Sequence, residues 1–116
     1  MTADFVPYQE ALELKALGFD EPCIAFYEQS KRLSIGFNWL NEGGKNSNLQ
    51  ECTAPLYQQA FRWFREKYDL SSWISGRTTM GFSYTIDASV GNFVYNTHEE
   101  AEQACLDKLI EIVKNK

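Results

Sequence analysis

Residues 55–69 read Pro-Leu-Tyr-Gln-Gln-Ala-Phe-Arg-Trp-Phe-Arg-Glu-Lys-Tyr-Asp, in which Tyr57, Ala60, Phe61, Phe64 and Tyr68 recur at helical spacing. A helix so patterned carries a broad aromatic face, extended by Leu56 and Trp63 on a neighbouring strip. Rings bury a large apolar area each, so such a face has to be covered by the rest of the chain. Thr53 is the expected cap of this helix, with Pro55 in its first turn.

Two more helices and several short extended segments are available as cover. Residues 7–17 place Ala11, Leu14 and Leu17, with Leu12 beside them, on one stripe behind Pro7. Gly18 follows as a left-handed stop, onto which Phe19 folds back. Asp20-Glu21-Pro22 turns the chain. Residues 23–28 and 32–39 are rich in β-branched and aromatic side chains, and Gln29-Ser30-Lys31 between them suits a hairpin. Residues 41–48 are polar and glycine-containing and read as the most mobile internal loop, followed by a short extended piece over 49–52. Strands are expected over 72–75, 80–87 and 92–95. Thr97-His98-Glu99-Glu100 matches the capping box, Thr97 capping a last helix and Glu100 reaching back to it. Its stripe is Ala101, Cys105, Leu109 and Ile112, flanked by Ala104, Ile110 and Val113, with Lys114 and Lys116 at the end that favours positive charge.

The expected fold is therefore a single α+β domain over residues 1–116, three amphipathic helices packed on a small antiparallel sheet. Tyr8-Gln9-Glu10-Ala11-Leu12 aligns with Tyr57-Gln58-Gln59-Ala60-Phe61 at an offset of 49, and each copy is followed by extended segments. That pattern suggests two α-β-β units plus a C-terminal helix.

Charge narrows the function. The net charge of −5 opposes general nucleic-acid binding, which needs a basic face to displace counterions. Residues 1–30 hold six acids against Lys15, whereas 31–96 hold five acids and seven bases, so an anion site belongs in the middle third. No apolar run approaches the ~20 residues that span a membrane. Met1-Thr2-Ala3-Asp4 lacks the pattern of a signal peptide, and Cys23, Cys52 and Cys105 form no CxxC. A cytoplasmic protein with reduced, buried thiols is expected.

No reaction can be read from the side chains, so no catalytic residue, cofactor or metal is assigned. His98, the single histidine, reads as a solvated helix-start residue. Cys23, Cys52, Cys105 and His98 lack the paired spacing of zinc ligands, and His98 and Cys105 lie about 10 Å apart along one helix. Gly43-Gly44-Lys45-Asn46-Ser47 departs from the phosphate-loop pattern at Trp39 and Asn46. The candidate binding residues are Arg62, Arg65 and Lys67 with Gln58 and Gln59 on the polar side of the second helix, where Arg62 and Arg65 could share an anion or Arg62 pair with Glu66. Trp39 and Trp73, at strand–loop boundaries, could anchor a partner or pack in the core.

Three blocks carry a resemblance: Pro7-Tyr8 through Leu17-Gly18-Phe19-Asp20-Glu21-Pro22-Cys23; Ala54-Pro55-Leu56-Tyr57-Gln58-Gln59-Ala60-Phe61-Arg62-Trp63-Phe64-Arg65-Glu66-Lys67-Tyr68; and Tyr95 through Thr97-His98-Glu99-Glu100-Ala101-Glu102 to Leu109-Ile110-Glu111. Over about half the chain the sequence resembles a family of short phage- and prophage-encoded proteins with no assigned activity. The resemblance implies a phage-type context, in which small non-enzymatic proteins bind and redirect host components. The expected function is thus contact with a host macromolecule, the expected partner being a protein; the alternative is sequestration of a nucleotide or other anion, and an enzyme ranks last. Oligomeric state is left open.

Overall fold

The stop expected after the first helix is formed. Gly18 takes φ 96°, its N–H reaches the Lys15 carbonyl at 3.0 Å, and the Phe19 N–H reaches Leu14 at 3.0 Å. These two bonds satisfy carbonyls that the helix end would leave open, and they fold Phe19, 1% exposed, back into the core. The computed structural model describes residues 4–28, 30–35, 52–87, 89–90 and 93–115. The chain divides into two compact units, Met1–Leu56 and Tyr57–Lys116.

In the first unit, helix α1 spans Tyr8–Ala16 and buries Glu10, Ala11 and Leu14. Pro7 precedes it in extended geometry. Strands β1 (Ala25–Tyr27), β2 (Leu33–Ile35) and β3 (Cys52–Thr53) form an antiparallel sheet in the order β2-β1-β3. Phe26 lies opposite Ser34 on one side and Thr53 on the other. The hairpin between β1 and β2 closes with Lys31 in the left-handed region, φ 70°. α1 packs on β3, and the Tyr27 hydroxyl donates to the Val6 carbonyl at 2.7 Å. Val6 N–H in turn donates to the Pro55 carbonyl at 2.8 Å.

That last bond corrects the expected start of the second helix. Thr53 is a buried strand residue opposite Phe26, not a cap, and Pro55 precedes the helix with its carbonyl taken by Val6. Strand pairing has won over the local capping preference. The proposed mobile loop, the outer part of the expected strand over 32–39, and Trp39 lie outside the described residues.

In the second unit, helix α2 spans Tyr57–Tyr68 and buries Tyr57, Ala60, Phe61, Trp63 and Phe64. The expected aromatic face is therefore core, with Trp63 edge-on to Phe64 and Tyr68 at centroid distances of 5.1 and 5.4 Å. Strands β4 (Ser72–Arg77), β5 (Gly81–Ile86) and β6 (Ser89–Val90) form a second antiparallel sheet, in the order β4-β5-β6. Of the expected strand over 92–95, the described residues 93–95 make one bridge, Tyr95 with Phe82, bonded in both directions at 2.7 and 2.8 Å. The chain has already turned back at Asp87, φ 48°, so that Ser89 and Val90 occupy that side of β5.

Helix α3, His98–Lys114, covers β4 and β5 and packs on α2. Its cap forms as the sequence requires: the Thr97 hydroxyl accepts from the Glu100 N–H and donates to the Glu100 carboxylate, both at 3.1 Å. Ala101, Cys105, Leu106 and Leu109 are fully buried.

The fold is thus α+β, with three helices and two small antiparallel sheets among the described residues. Its element order repeats, and α1 and α2 both start at the aligned tyrosines, Tyr8 and Tyr57. The sheets are wired differently, however: β1 is central in the first, while β4 is at the edge of the second.

Candidate functional site

The polar side of α2 does not gather its cations into one cluster. Gln58, Arg62 and Arg65 are exposed and share a stripe by their four- and three-residue spacing. Arg62 Nε lies 3.9 Å from Glu66 Oε1, both side chains more than half exposed, a pair worth little stability. Lys67 belongs to another stripe, its Nζ 5.1 Å from the Trp63 ring centroid and 5.8 Å from that of Tyr68. Gln59 is half-buried.

His98 is less solvated than its place at a helix start suggests. Its Nδ1 lies 3.3 Å from Glu102 Oε1, one helical turn on, and its ring is edge-on to Phe82 at 5.6 Å. Glu102 is itself buried, at 8% exposure. This partner was legible as an i, i+4 pair. The next turn brings no nucleophile to it, because burial pushes the Cys105 thiol up to about 11, against the Ser72 hydroxyl, with the Glu102 charge adding to the rise. A thiol so buried and so weakly acidic stays protonated at neutral pH. Burial likewise raises Cys52 to about 11, opposed by Lys15, and the Cys23 thiol donates to the Glu21 carbonyl at 3.4 Å. All three cysteines are buried. Among the described residues no group of three His, Cys, Asp or Glu side chains is placed to hold a metal ion, and no helix is long and apolar enough to cross a membrane.

The most exposed apolar side chains sit elsewhere. The β4–β5 turn ends at Met80, 74% exposed, and Gly81 follows at φ 86°. Val94, 69% exposed, lies over Gly81 so closely that a Cβ there would strike Val94 Cγ1. Phe93, 70% exposed, is next to it, its ring 6.4 Å from Tyr95. The Tyr95–Phe82 bonds hold this segment on the sheet, so Met80, Phe93 and Val94 share one end of it. Sequence reading missed these residues because it placed 80–87 and 92–95 in strands, where alternation would have buried half of them.

Trp73 is about half exposed on the outer face of β4. By alternation that face carries Trp73, Ser75, Arg77, Ser83 and the buried Thr85, opposite Trp73, while Ile74, Tyr84, Phe82 and Ile86 are on the side of α3. The structure thus sets Trp73 on the sheet and the arginines on α2.

No family model, no curated protein and no solved structure matches the chain.

Proposed function

We propose that this is a non-enzymatic contact protein of phage type, working in the cytoplasm, that binds a host protein through the apolar end of its second sheet. The observation that carries this reading is the grouping of Met80, Phe93 and Val94, three large side chains left in water on a segment fixed by backbone hydrogen bonds. Scattered exposed apolar residues are ordinary, but adjacent ones on ordered backbone mark a surface that a partner can dry. Preorganisation adds to its value, since little side-chain or loop entropy remains to be lost on contact.

The alternative reading, capture of a nucleotide or other anion, is left with Gln58, Arg62 and Arg65 on α2, because Lys67 is over the aromatic rings and Arg62 already approaches Glu66. The test is parallel affinity capture from a host lysate with wild type and a Met80→Ser/Phe93→Ser variant, each first checked for fold by circular dichroism. The variant is expected to fold and to lose the proteins that wild type retains. A folded variant that retains them all refutes the reading, and loss confined to an Arg62→Ala/Arg65→Ala variant transfers the role to α2.

A further inference from the structure

Among the described residues, strand β4 is paired along one edge and meets no strand along the other. The Asp87 N–H donates to the Ser71 carbonyl at 2.9 Å, so Ser71 and Asp87 form a bonded pair at the base of the hairpin. Bonded pairs alternate along an antiparallel ladder, which makes Trp73–Thr85, Ser75–Ser83 and Arg77–Gly81 the bonded pairs above it. The N–H and C=O groups of Ser72, Ile74 and Gly76 therefore point away from β5, toward the side where the order β4-β5-β6 places no described strand. Trp73, Ser75, Gly76 and Arg77 are exposed along it. An edge of this kind is a template for another strand.

The sequence of the strand decides which strand fits. In an antiparallel pairing of β4 with itself centred on Ser75, Ile74 meets the partner's Gly76, and both present outward-pointing groups, so the backbone bonds are in phase. The same register sets Trp73 beside the partner's Arg77 twice, once on each side of the two-fold axis. Those two residues form a non-bonded pair, the kind whose side chains approach most closely. Indole and guanidinium are the preferred partners for a cation–π contact. Gly76 lacks the side chain that would crowd the partner's Ile74.

We infer that β4 pairs with the β4 strand of a second copy, joining two three-stranded sheets into one, with Trp73 and Arg77 locking the register. This pairing uses none of Met80, Phe93 or Val94 and stands or falls independently of the function proposed above.

Sedimentation equilibrium over a dilution series tests it, with four proteins checked for fold by circular dichroism: wild type, Trp73→Arg, Arg77→Glu, and the exchange Trp73→Arg/Arg77→Trp. Wild type should show a monomer–dimer equilibrium. Each single variant should weaken it by about tenfold or more, because two contacts are lost at once, and the exchange should restore it because position 73 again faces position 77 with the same pair. A wild type that stays monomeric at every concentration, leaving the edge to a strand of some other protein, overturns the inference. So do folded single variants that associate as tightly as wild type, or an exchange variant that folds and fails to recover.

Discussion

In the sheet of residues 1–56 the first strand, β1, lies between two neighbours, whereas in the sheet of residues 57–116 the first strand, β4, has one neighbour among the described strands. Both begin as hairpins with short connections, residues 28–32 and 78–80. A hairpin satisfies only one edge of each strand. In the first sheet the other edge of β1 is taken by β3, supplied from beyond a long stretch of sequence: Ala54 N–H donates to the Ala25 carbonyl at 2.9 Å. In the second, the additional strand β6 adds to β5 instead and leaves β4 at the edge of the described sheet. Similar local parts thus put the first strand inside one sheet and at the edge of the other, where β4 turns the backbone groups of Ser72, Ile74 and Gly76 away from β5.

The largest effect expected comes from the core of the second unit, on α2, which packs on the helix that covers the second sheet. Phe64 is fully buried, so Phe64→Ala should cost about 3–5 kcal/mol in chemical denaturation. A cost near 1 kcal/mol, on the order of a surface substitution, would show that the aromatic face of α2 is not core.

Next come the hairpin backbones. Gly76 takes φ 142°, and a Cβ there would run into the Gly81 carbonyl, so Gly76→Ala should cost about 1–3 kcal/mol. In the other hairpin the left-handed residue is Lys31, whose exposed side chain bears the steric cost of φ 70°. Lys31→Gly should therefore be neutral or stabilise by up to about 1 kcal/mol. Thermal midpoints shifting the same way in both variants would erase the contrast between the two turns.

A pH effect is common to both units. Cys52 and Cys105 are each raised to about 11 by burial, so the fold favours their protonated forms. The stability this supplies is complete below the unfolded thiol range, near pH 8.5, and is lost as pH rises through about 11. Urea midpoints should fall over that window, and Cys105→Ala should reduce the slope of the fall. A flat profile would mean that the thiols are solvated.

The smallest effect belongs to the polar stripe of α2: Arg62→Ala and Arg65→Ala should each change stability by less than about 1 kcal/mol. A larger loss by denaturant titration would make these arginines structural.

What sequence revealed and what it concealed follow the same division between local and distant. Helix α3 was legible because Thr97 and Glu100 act within one turn, and α1 because Gly18 stops it within two residues of its last stripe position. The face of α2 was legible from its spacing, but its start was not: Thr53 has the chemistry of a cap, and only pairing with β1 shows that it is a strand residue. Which strand lies inside each sheet depends on partners far along the chain, which no local pattern encodes. The same limit hid the candidate surface. Met80, Phe93 and Val94 look like strand residues, but Met80 falls in the β4–β5 turn and Phe93 and Val94 lie outside the paired segments that follow the turn at Asp87. Trp73 is legible as a strand residue near a boundary, yet its exposure depends on which face of the second sheet α3 covers, which no local pattern encodes.

Residue-resolved amide exchange across a dilution series tests the contrast between the two sheets most directly. At the lowest concentrations the amides of Phe26 and Tyr27 in β1, and of Trp73 and Ser75 in β4, should exchange slowly, while those of Ile74 and Gly76 exchange fast. Raising the concentration should slow Ile74 and Gly76 and leave the others unchanged. Ile74 and Gly76 amides that stay protected where the protein sediments as a monomer, or exposed at every concentration, would contradict the account.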